Sequence, residues 1–206
     1  MRTIKNAKFR FQFCIFNFAL LKFAAKTIYI KMKYVAFLRG INVGGHNKIK
    51  METLREMFAA LRFESVKTYI NSGNVIFETI EADDNALAAK IEQAIQTGFS
   101  LNIKVMVRTL SEIEDIIKNN PFDGQFTNDK DLHVLFLAEA LSEEKKNLLL
   151  ANNNEFEQFA VRNREVFCHL RVSVLDSLLG KDYIGKKLKI FATARNWRTI
   201  NKITEL

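Results

Sequence analysis

The sequence is short of several residue types, and each shortage excludes a class of protein. Among its 206 residues are one proline and eight glycines, which leaves little material for flexible linkers or collagen-like repeats. Two cysteines, Cys14 and Cys168, are too few for a disulfide framework. The three histidines have no metal-type spacing, so neither a metal site nor a cofactor is predicted. No run of 18 apolar residues occurs, so no membrane span is predicted.

Acidic residues are missing from a leader, residues 1–31, which holds seven Lys or Arg and six of the eighteen Phe. From Met32 onward 24 basic residues face 23 acidic ones, so nearly all of the net charge of +8 lies in the leader. The charge is therefore no evidence that the rest of the chain binds nucleic acid. The leader is translated upstream sequence outside the native protein, a secretory or membrane-associating segment, or a basic aromatic arm that binds a surface. A single thiol after Met32 favours a cytoplasmic location.

From Met32 onward the apolar pattern predicts a βαββαβ order over residues 32–110. The predicted strands are 33–39, 65–70, 74–78 and 103–109. Helical spacing of apolar residues predicts one helix around Leu54 and Phe58 and another around Leu87 and Ile91. This order is that of the split βαβ, or ferredoxin-like, unit.

A similar order follows in residues 131–206. The predicted strands are 132–138, 155–161, 165–171 and 191–193, and the predicted helical segments are one capped by Ser142 and those at 174–179, 182–190 and 196–206. Residues 111–130 are a connecting helix and loop, with Ser111 and Glu114 as a capping box. We therefore predict an α+β fold of two ferredoxin-like units in tandem, and this prediction depends on element order alone.

The loop after the first strand has a composition typical of anion binding. Its sequence RGINVGGHNK, residues 39–48, lies between a strand and a helix, where free amides and the helix dipole receive anions. Gly40 and Gly45 have the spacing of half a P-loop, but His46 and Asn47 replace the Lys and Ser or Thr that bind phosphate and magnesium. The alternative is that the glycines only supply turn geometry.

The predicted topology brings a second polar loop to the same sheet edge. The hairpin turn at Asn71, Ser72 and Gly73 should approach the 39–48 loop, because the first two strands of such a unit are parallel. The convergence predicts a pocket rim for a phosphate or nucleobase, formed by Arg39, Asn42, Lys48, Asn71, Ser72 and Asn74. Asparagines in turns also serve as plain turn formers.

Near the C-terminus, Arg195, Asn196 and Trp197 open a predicted helix. The tryptophan either stacks on a nucleobase or packs onto a sheet while the arginines face solvent. Phe167 and His169 share one strand face, as in sheets that stack RNA bases, but no RNP1-like run accompanies them.

Three motifs in order, LRGINVGG, SGN and RNW, resemble those of a bacterial family of domains of unknown function. The resemblance spans Met32 to Leu206 and implies a two-lobed α+β fold like paired ferredoxin-like units, with no established activity. Arg62 departs from the family pattern, which has a glycine at the end of the first helix. The motif residues that it carries over are Arg39, Gly40, Asn42, Gly44, Gly45, Ser72, Gly73, Asn74, Arg195, Asn196 and Trp197.

Three function classes remain open. The leading hypothesis is a binding module for a phosphate-bearing small ligand or a nucleic acid, whose candidate residues are those motif residues with Lys48 and Asn71. An enzyme acting on a phosphorylated or nucleotide substrate is the second, although no catalytic residue is predicted, because His46 and Asp123 show no recognisable pairing. The third is a structural domain that dimerises through exposed sheet edges.

Overall fold

The computed structural model describes residues 30–206, of which residues 31–206 form one compact unit. The three interpretations of the leader therefore fall almost wholly outside the described residues. The first half contains β1 (Met32–Leu38), α1 (Met51–Ala60), β2 (Glu64–Tyr69), β3 (Asn74–Thr79), α2 (Asp84–Phe99) and β4 (Val105–Thr109). Its four strands form an antiparallel sheet in the order β2-β3-β1-β4, hereafter the first sheet.

Helix α3 (Leu110–Lys118) leads into the second half. This half contains β5 (Leu132–Leu137), α4 (Glu143–Leu150), β6 (Glu157–Arg162), β7 (Glu165–Leu170), α5 (Tyr183–Lys186), β8 (Ala192–Asn196) and α6 (Trp197–Thr204). Its strands form the second sheet, which is also antiparallel, in the order β6-β7-β5-β8. The predicted α+β class is confirmed. No helix in residues 30–206 is long and apolar enough to span a membrane.

Three apolar clusters divide the structure into layers. One lies between the first sheet and helices α1 and α2, and a second lies between the facing sides of the two sheets together with α3 and α6. The third lies between the far side of the second sheet and helices α4 and α5. Strand β1 reads as a continuous apolar run because both of its faces are buried, with Tyr34, Ala36 and Leu38 in the first cluster and Val35 and Phe37 in the second.

The end of α1 shows why the family pattern has a glycine where this chain has Arg62. Arg62 has a φ of +65°, its amide donates to the carbonyl of Ala59, and the amide of Phe63 donates to Phe58. This is a Schellman ending, completed by the aromatic contact of Phe58 with Phe63, whose ring centroids are 5.8 Å apart. Arginine thus occupies a left-handed position that favours glycine.

The predicted capping box of α3 was wrong by two residues. The side chain of Thr109 accepts from the amide of Glu112, and the Glu112 carboxylate accepts from the amide of Thr109. Ser111 and Glu114 instead lie inside the helix. The spacing of serine or threonine and glutamate occurs twice in TLSEIE, and the end of β4 at Thr109 selects the earlier pair.

The prediction for residues 174–190 was also wrong. Residues 174–179 form turns, and the helix predicted over 182–190 shrinks to the four residues of α5. At Gly180 an added Cβ would lie 2.0 Å from the carbonyl oxygen of Val174, so the chain folds back on itself there. Asp182 is left-handed, with a φ of +53°, so the helix begins only after it, and Lys189, with a φ of +56°, lies beyond its end. The closing strand is Ala192–Asn196 instead of 191–193.

Candidate functional site

The two polar loops converge as the topology predicted. The amide of Leu38 donates to the carbonyl of Gly73 at 2.8 Å. The side chain of Asn42 accepts from the amide of Ile49 at 2.9 Å and donates to the carbonyls of Ile49 at 3.0 Å and Asn71 at 2.9 Å. Asn42 therefore ties its own loop to the β2–β3 hairpin and has little capacity left for a ligand.

Gly44 and Gly45 form the tip of a small hairpin within residues 39–48, hereafter the first loop. Val43 and His46 form a β-bridge, and Gly44 and Gly45 between them have φ values of +58° and +81°. Two positive values in succession are typical of a type I′ turn. These glycines serve turn geometry here, while the nearby Lys48 is exposed beside an open depression at the start of α1.

The hairpin motif SGN is internal to the fold. Asn74 is fully buried. Its side-chain Nδ2 donates to the carbonyl of Tyr69 at 2.9 Å and to the hydroxyl of Ser72 at 3.1 Å. A Cβ on Gly73 would lie 2.8 Å from the Cβ of Leu38, so only glycine fits at this close approach.

Arg195 of the RNW motif joins the two halves of the chain. Its Nη2 donates to the carbonyls of Leu38 and Ser72 at 3.0 Å and of Gly73 at 3.2 Å, and its Nε donates to the side chain of Asn74. Its Nη1 donates to Thr193 and to a neighbouring carbonyl. Burial lowers the pKa of Arg195 to about 10, which leaves the guanidinium charged at neutral pH.

Arg108 makes the reciprocal contact, from the first half of the chain to the second. The sequence patterns did not single out this residue. Arg108 pairs with Val35 in β1, and Arg195 pairs with Val134 at the matching position in β5. From β4, Arg108 donates to Glu165 at 2.7 Å and to the carbonyl of Leu137 at 2.8 Å. The two arginines therefore form a reciprocal clamp between the halves, with every guanidinium nitrogen of each donating.

The clamp surrounds a pair of stacked aromatic rings. Phe37 and Phe136 lie 4.0 Å apart between centroids, with an interplanar angle of 15°. Arg195 lies over the ring of Phe37, and Arg108 lies over the ring of Phe136. Charged and apolar contacts thus cooperate at the junction of the two halves.

The remaining RNW residues also have structural partners. Asn196 caps α6 by accepting from the amide of Thr199 at 2.9 Å. Trp197 is 8% exposed and meets the ring of Phe126 edge to face. Phe167 and His169 are buried on the side of the second sheet that faces the first. None of these aromatic residues is exposed for stacking on a nucleobase.

Arg39 differs from the other two arginines. Its side chain is 30% exposed, and its Nη2 donates to the carboxylate of Asp182 at 3.0 Å. Among the described residues, Nε and Nη1 of Arg39 have no hydrogen-bond acceptor. The guanidinium lies 5.7 Å from the ring centroid of Phe191. Arg39 is therefore held in place while several of its donors stay available.

The Arg39–Asp182 pair borders a pocket of about 390 Å³ between the first loop and the far side of the second sheet. Its walls are mostly apolar and come from β5 to β8, α4, α5 and the turns before α5; they include Leu135, Leu149, Phe159, Leu179, Ile184 and Ala194. The first sheet is covered by the 16 residues of α2, whereas the matching helix α5 has four. The short helix leaves this pocket, hereafter the Arg39 pocket, open.

A sequence profile described as a protein of unknown function, DUF1697, matches residues 32–167, about two thirds of the chain. The chain belongs to this family. A conserved bacterial protein from Streptococcus pneumoniae with a solved structure is 25% identical to this DUF1697 chain, with a TM-score of 0.66. The match covers 85% of this chain and 98% of that one. No curated protein matches the sequence. The function of the DUF1697 family is uncharacterised.

The pocket of this DUF1697 member also contains a thiol and a phenol. Burial raises the pKa of the Cys168 thiol well above its ordinary value, and the charge of Glu157 adds to the shift. Cys168 is therefore protonated at neutral pH and a poor nucleophile. Tyr183 accepts from the side chain of Asn152 at 3.4 Å. Residues 30–206 contain no cluster of three or more metal-ligating side chains.

Proposed function

We propose that this DUF1697 protein binds a small organic ligand in the Arg39 pocket. The observation that carries the proposal is the pocket itself, an apolar cavity with a cation and an anion at its border and of a size common among small-molecule sites. Of the predicted site residues, Arg39 and Gly40 line it. The proposal keeps the small-ligand part of the sequence-based hypothesis and moves the site toward the second sheet.

Binding is better supported than covalent catalysis at this site. The nucleophile that lines the pocket, Cys168, has a thiol pKa raised by burial, and no histidine is among the residues lining the pocket. His133 lies opposite Cys168 in the sheet, but the thiol donates to the carbonyl of Val166 and makes no hydrogen bond with His133. An activated thiol nucleophile needs a lowered pKa or a hydrogen bond to a base, and Cys168 has neither.

A nucleic-acid surface has less support. Arg195 and Trp197 are buried and bound to other parts of the protein. Beyond the leader the charges nearly balance. Sequence-independent binding of nucleic acid depends on several exposed cations that neutralise phosphates. Near the 39–48 loop the exposed lysines are Lys48 and Lys50, which border one depression.

The test is ligand-induced stabilisation of the full chain. Compounds of small molecular weight are screened by thermal melting, since a ligand present at 100 times its Kd stabilises the native state by about 2.7 kcal/mol. Ala194→Phe is designed to fill the pocket and abolish the response, and Arg39→Ala is designed to weaken it without unfolding the protein. Ala140→Phe is the control, because Ala140 is exposed outside the pocket. A response that Ala194→Phe leaves intact would contradict the proposal.

We also infer that residues 32–110 and 131–206 are two ferredoxin-like units in tandem, joined by residues 111–130. The identical strand orders of the two sheets support this inference, as do the matched positions of Arg108 and Arg195. Expression of residues 131–206 alone tests the boundary. In the isolated second half, Arg195 and the apolar face toward the first sheet lose their partners in the first half. The isolated half is therefore expected to unfold in one cooperative transition only after these residues are replaced by polar ones.

A further inference from the structure

We propose that the ligand of the Arg39 pocket is an amphipathic anion with one charged head, a carboxylate or a phosphate monoester, and a compact apolar body. This inference rests on the proposed function and names the chemical class of the ligand. The head is assigned to Arg39 at the pocket border, and the body to the apolar wall of the second sheet.

The hydrogen bonds of Arg39 support an anionic head. A guanidinium has five N–H donors in a planar fork that matches carboxylate and phosphate oxygens. Asp182 takes a donor of Nη2 and leaves Nε and Nη1 without an acceptor among residues 30–206. The Asp182 carboxylate thus occupies part of an anion-binding arrangement, and the ligand head takes the unused donors.

The surrounding charge supports the same sign. Residues 181–189 include α5, and the three of them that line the pocket are Asp182, Tyr183 and Ile184. The range carries four lysines and one aspartate. The lining itself holds one cation and one anion, Arg39 and Asp182, so the surplus of positive charge lies on the exposed lysines that flank the lining residues of α5 in the chain. Such a surplus attracts anions and repels cationic ligands.

The lining limits the ligand to a single charge and a modest size. Arg39 is the only cation among the residues lining the pocket, so the several charges of a nucleoside triphosphate would lack partners. The remaining wall is dominated by Leu, Ile, Phe and Ala side chains. A volume of 390 Å³ accommodates roughly a dozen non-hydrogen atoms at about 30 Å³ each.

The experiment compares straight-chain carboxylates from four to twelve carbons with the matching alcohols and alkyl phosphates, by titration calorimetry on the full chain. Each methylene is expected to tighten carboxylate binding about fourfold until the pocket is full. Acids or alkyl phosphates are expected to bind at least tenfold more tightly than alcohols of equal length, and the two anion series separate carboxylate from phosphate. Alcohols equal to both anions would overturn the inference and leave the proposed function intact.

Three variants locate the head group. Arg39→Gln is expected to bring the affinity for acids down to that for alcohols, while the dependence on chain length stays. Asp182→Asn removes the competing carboxylate, and asparagine tolerates the left-handed φ of +53°, so acids are expected to bind severalfold more tightly. Arg198→Gln, at an exposed position on α6, is the matched control and should change nothing.

Two further outcomes are decisive. Acids that bind equally well to wild type and Arg39→Gln overturn the assignment of the head group. If no anion binds at millimolar concentration, the inference fails, and an NMR fragment screen with Ala194→Phe as reference then tests the proposed function separately. Fragments that shift the NMR resonances of pocket residues in wild type but not in Ala194→Phe would support the proposed function with a different class of ligand.

Discussion

Removal of the Arg195 guanidinium is expected to destabilise the whole chain, because it opens the clamp between the two halves. Arg195 is 7% exposed, and its hydrogen bonds reach the end of β1 and the β2–β3 hairpin. In Arg195→Ala the carbonyl of Leu38 and the side chain of Asn74 lose a charged donor inside the protein. Each such hydrogen bond contributes about 1.5–3 kcal/mol, although these contributions are not additive.

The net magnitude is smaller than the sum of these bonds. Burial disfavours the charged guanidinium, as its lowered pKa of about 10 indicates, so part of the gain is offset. All acceptors of Arg195 are neutral, so its truncation leaves no unpaired charge, but each buried acceptor left without a donor costs about 1–3 kcal/mol. A domain has a free energy of unfolding of about 5–15 kcal/mol in total. Arg195→Ala is therefore expected to remove a large part of the free energy of unfolding. Arg195→Lys is expected to remove a smaller but still substantial part, because an ammonium lacks the planar fork of a guanidinium.

Urea unfolding at neutral pH measures the effect, with Arg39→Ala as the matched control. The Arg39–Asp182 pair is partly exposed, so its loss is expected to cost less than about 1 kcal/mol. A double-mutant cycle between Arg195→Ala and Asn74→Ala should give a coupling energy of about 1–3 kcal/mol. The reasoning is refuted if Arg195→Ala changes the free energy of unfolding no more than Arg39→Ala does.

Three other predictions concern backbone geometry and pH. Arg62→Gly is expected to be neutral or to stabilise the protein by up to about 1 kcal/mol in urea unfolding, since the position has a φ of +65°. Gly180→Ala is expected to destabilise it by more than about 2 kcal/mol, because the new Cβ would lie 2.0 Å from a carbonyl oxygen, whereas Gly98→Ala has open space and should not. Burial lowers the pKa of His133 and of His169, so the unfolded chain takes up protons first as the pH falls below about 6.5, and stability decreases from there. Urea midpoints at pH 7.5 and 5.5 should differ less in His169→Phe; an unchanged difference would contradict the role of His169.

Apolar periodicity predicted the first half of the fold well. Strand β1, helix α1 and the hairpin of β2 and β3 each follow a local pattern of apolar residues. The observed bounds of these three strands differ from the predicted ones by one residue at most. The approach of the 39–48 loop to the hairpin also follows from the sequence, because strand order alone brings the two loops to one edge. Local patterns and topology suffice where the structure is regular.

The second half was harder because tertiary contacts decide its local structure. The turns before α5 depend on the approach of Gly180 to Val174, which no periodicity predicts. The burial of Arg195 depends on acceptors more than 120 residues earlier in the chain. An arginine beside a tryptophan has the composition of a ligand contact, and only the position of the first half shows that this one is a clamp.

The Arg39 pocket arises where the two halves differ. At matching positions the amide of Arg39 donates to Lys104 and the amide of Ala138 donates to Phe191. Where the halves agree, at Arg108 and Arg195, the side chains hold them together. Where they differ, the first half has the long helix α2 over its sheet and the second half has the short helix α5, with the partly exposed Arg39 across the gap. Residues shared by both halves therefore explain the stability of the fold, whereas those confined to one half are where a ligand site is expected.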